Sequence, residues 1–116
     1  MKLQKIIESV DGKILTENIF RDIDISGAYS SDLLSDVMGN SHQGEIWITI
    51  MRHLNVIAVA SLAEMPVILF PKNFNPDEKV IEKAISENII LITSPYQTFE
   101  ICGKIYNLLN KSDEMV

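Results

Sequence analysis

Cysteine, basic charge and long apolar runs are scarce in this sequence. Cys102 is the single cysteine, so no internal disulfide can form, and no Cys/His spacing suits zinc. Sixteen Asp and Glu outweigh ten Lys and Arg, leaving a formal charge of −6. That balance argues against a broad nucleic-acid or anionic-membrane surface, which needs clustered Lys and Arg, but is compatible with a small local cationic pocket. No apolar stretch approaches the roughly 20 residues that cross a bilayer. The opening Met1-Lys-Leu-Gln-Lys-Ile-Ile is interrupted by Glu8 before reaching signal-peptide length. A cytoplasmic location, with neither a membrane nor a nucleic-acid partner, is the resulting expectation. Catalytic signatures are missing as well: there is no Gly-x-x-x-x-Gly-Lys-Ser/Thr loop, Gly-x-Ser-x-Gly, His-Glu-x-x-His or Gly-x-Gly-x-x-Gly. No motif calls for a cofactor or a metal.

What is present is a chain of 116 residues, 47% hydrophobic and 22% charged, enough for one domain around one core. Leu3, Ile6, Ile7 and Val10 recur at helical spacing, predicting a first helix over 2–10. Asp11-Gly12 is a turn, with a brief strand after it. A strand is expected over 24–29, then a helix capped by Ser30 or Ser31 with Leu33, Leu34, Val37 and Met38 buried. Ile46–Ile50 reads as a strand, 51–65 as a buried helix stopped by Pro66, and Val67–Phe70 as another strand. Asn75-Pro-Asp-Glu78 predicts a helix capped by Asn75, and Ser94-Pro-Tyr-Gln97 repeats that pattern for the last helix. Ile89–Ile92 is the strand between them. The last helix is expected to bury Phe99, Cys102, Tyr106 and Leu109, with Ile101, Ile105 and Leu108 beside them and a close neighbour at Gly103. Residues 1–110 form the domain and 111–116 a flexible tail. Apolar strands alternating with helices predict a three-layer α/β/α fold with a mainly parallel sheet.

In such sheets ligands bind beyond the carboxyl ends of the strands. The residues expected there are Ser26, Gly27 and Ser30 from the first parallel strand, and Arg52 and His53 from the second. Lys72 and Asn73 follow the third, and Ser94 and Tyr96 the fourth. Cations and helix starts converging on one edge suit a phosphate or carboxylate. The same residues also fit ordinary polar loops, and His53 fits a helix-start contact to backbone. Asp32 and Asp36 read as a solvated helix face, His42 as an exposed loop residue, Cys102 as an inert core thiol, and Trp47 as core or interface.

Ser31-Asp-Leu-Leu-Ser-Asp-Val-Met38, Ser94-Pro-Tyr-Gln-Thr-Phe99 and Phe99-Glu-Ile-Cys-Gly-Lys-Ile-Tyr106 resemble the DRTGG domain, in particular a stand-alone subgroup. The resemblance runs from Ile6 to about Leu109. It implies a fold similar to the N-terminal domain of HPr kinase/phosphorylase. The family signature is degenerate here: Met51-Arg52-His53 stands in place of Asp-Arg-Thr, and Pro71-Lys72-Asn73 in place of the Gly-Gly pair. A close-approach turn at that pair is therefore expected to be missing. With no phosphate-cradling loop the chain is not a kinase by itself. The resemblance implies a non-catalytic regulatory or ligand-sensing module binding a small anion or nucleotide and a protein partner. The alternative is a small enzyme or redox-associated accessory factor using Arg52, His53 and Lys72. High apolar content in a small chain adds the expectation of a twofold homodimer.

Overall fold

A computed structural model describes the backbone of residues 1–114 and the side chains of residues 1–110. Its elements run α1 (Leu3–Ser9), β1 (Lys13–Ile14), β2 (Gly27–Ser30), α2 (Leu34–Asn40), β3 (Glu45–Ile48), α3 (Leu54–Leu62), β4 (Val67–Phe70), α4 (Glu78–Ser86), β5 (Ile90–Thr93) and α5 (Thr98–Glu114). The strands form one sheet in the order β1-β5-β4-β3-β2. Strands β2 to β5 are mutually parallel, and β1 joins the far edge antiparallel, Lys13 opposite Thr93. Of the tail expected over 111–116, residues 111–114 continue the backbone of α5, and 115–116 lie outside the described residues.

Three layers follow from strands that are apolar on both faces. Ile46, Ile48, Val67, Leu69, Ile90 and Ile92 point to one side, where they meet Leu3, Ile6 and Ile7 of α1 and Ile101 and Ile105 of α5. Trp47, Ile68, Phe70 and Leu91 point to the other and meet Val37 of α2, Val56, Ile57 and Ala60 of α3, and Val80 and Ala84 of α4. One face thus carries two helices and the other three. Trp47 is fully buried, and its indole N–H donates to the Ser31 carbonyl at 2.9 Å, so its one polar atom is satisfied.

Several local expectations change. The strand expected over 24–29 begins only at Gly27; the preceding residues bond instead to the N-terminus, Leu3 N–H to Ile23 O at 2.9 Å and Ile25 N–H to Met1 O at 2.7 Å. Helix α2 starts at Leu34 with no side-chain cap; the Ser31 hydroxyl accepts from Leu33 N–H at 3.2 Å instead, and Leu33 and Met38 are exposed. Asp77, not Asn75, caps α4, accepting from Val80 N–H at 3.2 Å. Helix α5 begins at Thr98, four residues after Ser94, and its buried stripe is Ile101 and Ile105. Phe99 is 87% exposed and Tyr106 68%, and nothing lies within 4 Å of a side chain built at Gly103. Two apolar stripes compete on this helix, and the sheet takes the one made of β-branched residues.

Candidate functional site

The carboxyl ends of the parallel strands deliver two loops that face each other. After β3, the Asp32 carboxylate accepts from the Thr49 hydroxyl at 2.8 Å and from Ile50 N–H at 3.0 Å. The Thr49 oxygen in turn accepts from Met51 N–H at 3.1 Å. This chain of bonds bends the loop and presents Arg52 and His53, both exposed. His53 is the extended residue before α3 and gives it no side-chain cap, so the first N–H groups of that helix lack a side-chain partner.

After β4, Lys72 and Asn73 have φ of 57° and 54°, and Phe74 N–H closes the turn onto Pro71 O at 3.0 Å. Positive φ at both central residues is the signature of a type I′ turn. A tight turn is thus built here without glycine, with the side chains of Lys72 and Asn73 where a Gly-Gly pair would leave the backbone bare. The Lys72 and Asn73 N–H groups donate to Tyr96 O at 2.8 Å and Ser94 O at 2.7 Å, and the Thr93 hydroxyl donates to Phe74 O at 3.1 Å. Phe74 is held against the α2–α3–α4 core, and the Arg52 guanidinium stands 4.6 Å from its ring centroid. Such a contact orders an otherwise mobile side chain.

Between the loops lies a cleft of about 450 Å³ lined by Arg52, His53, Asn55, Asp77 and Lys79. It continues past Arg52 and His53 into a second space of about 420 Å³ bounded by Ile50, Met51, Asn75 and Pro76. Asp77 is occupied as the cap of α4. Among the described residues Arg52 forms no ion pair. The cleft therefore offers Arg52, Lys79 and His53 as donors to an anion, with one carboxylate already engaged.

The structure brings together only part of the expected set. Arg52 and His53 share the cleft. Ser26 and Gly27 lie at the opposite edge, because Gly27 pairs with Glu45 at the start of β3; the Ser26 hydroxyl donates to Gln43 O at 3.0 Å. Ser30 reaches the carboxyl edge but lines a groove under α5 with Ala28, Ile48, Cys102 and Tyr106. Lys72 and Asn73 stand at the right edge without lining the cleft. Ser94 is fully buried; its hydroxyl donates to Val10 O at 2.7 Å and accepts from Tyr96 N–H at 3.2 Å. The Tyr96 hydroxyl donates to Asp11 at 2.7 Å, and that hydrogen bond, with the carboxylate's charge, raises the phenol's pKa. Ser94 and Tyr96 thus tie the β5–α5 turn to the end of α1.

Asp32 and Asp36 do more than line a wet helix face: Asp32 shapes the Arg52 loop, and Asp36 accepts from the Tyr29 hydroxyl at 2.8 Å. Lys79, Asp77 and Phe74 escaped the sequence reading. Asp77 immediately before Glu78 was a legible cap, and capping there would have turned Lys79 into the first turn beside the cleft. Nothing in the sequence announced that Phe74 would sit beneath Arg52.

No protein-family model matches the chain, and no curated protein matches its sequence at a significant level. Among solved structures it is similar to the CBS and DRTGG domains of the regulatory region of Clostridium perfringens pyrophosphatase, complexed with the activator diadenosine tetraphosphate. The TM-score is 0.69 at 17% identity, over 89% of this chain and 46% of that one. The fold is shared. The chain spans under half the length of that structure. Among the described residues no helix is long and apolar enough to cross a membrane, and no three His, Cys, Asp or Glu group closely enough to hold a metal.

Proposed function

We propose that this chain is a non-catalytic, DRTGG-like regulatory module that senses a small anion or nucleotide in the Arg52–His53–Lys79 cleft and passes the signal to a protein partner, self-associating as a twofold dimer. The observation that carries this reading is Arg52. It is held over Phe74, free of any carboxylate among the described residues, at a cleft shared with His53, Lys79 and the uncapped start of α3. An oriented guanidinium can grip two oxygens at once. The neighbour's regulatory region carries a nucleotide activator, which supports a polyphosphate or nucleotide among the candidate ligands. Space on either side of Arg52 fits a ligand longer than a bare phosphate.

The test is a thermal-shift panel of inorganic phosphate, mononucleotides and dinucleoside polyphosphates, followed by titration calorimetry. A ligand at 100 times its dissociation constant should stabilise the fold by about 2.7 kcal/mol. Arg52→Ala should then cost at least about tenfold in affinity, since a charge-assisted hydrogen bond contributes roughly 1.5–3 kcal/mol. Lys72→Ala should bind nearly as well as the unaltered chain. Full affinity in Arg52→Ala would overturn the site, and no stabilisation by any anion would overturn the reading.

A further inference from the structure

Helix α5 carries a second apolar stripe that its own core covers only in part: Cys102 and Leu109 are half-buried against that core, while Phe99 and Tyr106 stand exposed. Phe99, Cys102, Tyr106 and Leu109 are spaced three and four residues apart, so they lie along one side of the helix. Phe99 and Tyr106 are among the most exposed large hydrophobic side chains of the described residues. The stripe borders a groove whose floor is Ala28, Ser30 and Ile48. Lys104, the nearest cation on the helix, is turned the other way, 4.9 Å from the Tyr96 ring beside α1. Strand β2 is the edge of the sheet on the stripe's side. Among the described residues, no backbone hydrogen bond from outside the sheet reaches Gly27–Ser30.

We infer that this surface, the Phe99/Cys102/Tyr106/Leu109 stripe with the open β2 edge, is a twofold interface with a second copy of this chain. It rests on the self-association in the proposed function and locates it. Two arguments select a second copy. The first is charge. A chain of net charge −6 repels its own copy over most of its surface, whereas the stripe and Gly-Ala-Tyr-Ser carry no charged residue. Like can meet like there without burying unpaired charge. The second is coverage. The α1–α5 face has two helices where the opposite face has three, and a partner's α5 would pack beside the groove that α5 leaves over Ala28, Ser30 and Ile48. Two aromatic residues from each copy, at about 150 Å² or more apiece, would provide a substantial share of the roughly 1,200–2,000 Å² that stable interfaces bury.

The test combines light scattering over the micromolar range with thiol alkylation. The unaltered chain should run at twice the monomer mass. Tyr106→Glu and Phe99→Glu, both at exposed positions and checked for folding by circular dichroism, should each weaken the dimer at least 100-fold. Arg52→Ala should remain dimeric. Cys102, the single cysteine, should be alkylated by N-ethylmaleimide more slowly in the dimer than in Tyr106→Glu, because the partner shields it. A monomer at all concentrations would sink self-association and this interface together, leaving the anion cleft untouched. A dimer that persists in both glutamate variants, or in which Cys102 is alkylated as fast as in Tyr106→Glu, would overturn the interface alone.

Discussion

Tyr29 and Asp36 show how much a single pair decides at the edge of this fold. The phenol donates to the carboxylate at 2.8 Å, and that bond lowers the Asp36 pKa and raises that of Tyr29. The two signs define two limits. A carboxylate held below its usual 3.8 stabilises the fold above that pH and loses the contribution as pH falls through its folded value. A phenol held above 10.0 stabilises below that pH and loses the contribution as pH rises through its folded value. Thermal unfolding of Tyr29→Phe from pH 2 to pH 11 should show a smaller loss than the unaltered chain at both extremes. An identical profile would mean the pair is idle in solution. Asp32, four residues earlier, read in the sequence as its equivalent on a wet face. It differs because the end of β3 comes to it, a neighbour 17 residues away in the chain.

At the scale of elements, the β4–α4 turn is the informative case. Lys72 takes a left-handed conformation that costs an L-residue roughly 1–2 kcal/mol. Asn73 tolerates it better, since its short polar side chain suits that region. The turn survives because Ser94 and Tyr96 carbonyls hold its N–H groups. Lys72→Gly should therefore stabilise the protein by about 0.5–1 kcal/mol, the relieved strain less the added unfolded-state entropy, without changing ligand affinity. Chemical denaturation checks the first and calorimetry the second. Loss of the Gly-Gly pair removes the bare backbone a close approach needs but not the turn conformation itself. Residues enforced by bonds from another loop can replace residues that prefer the shape. The cap of α4 failed more simply: Asn75 and Asp77 are both good caps, and the chain enters the helix at the later one.

Across the whole molecule, the first 25 residues act as a clamp on a parallel sheet that would otherwise end at β5. β1 adds the antiparallel edge, buried Thr16 accepts from Leu91 N–H at 3.0 Å, and the Ser94 hydroxyl reaches across 84 residues to Val10 O. Ser94→Ala leaves that buried carbonyl unpaired, and the penalty for such a group is about 1–3 kcal/mol. The variant should unfold earlier in urea by that amount while binding anions with unchanged affinity. A loss of affinity at unchanged stability would return Ser94 to the ligand site.

The element order, the parallel sheet and the two-faced strands were determined by the sequence alone, because periodicity and turn residues act over a few positions and the strands are apolar on both faces. Arg52 and His53 were legible for the same reason: they follow a clear strand and precede a clear helix. Which of two apolar stripes α5 buries, which edge Ser26 and Gly27 reach, and whether Ser94 serves a ligand or Val10 were decided only by tertiary structure. Each depends on register or on a partner many residues away. Local pattern sets what an element is, while the neighbour that comes to meet it sets which side chains remain free to act.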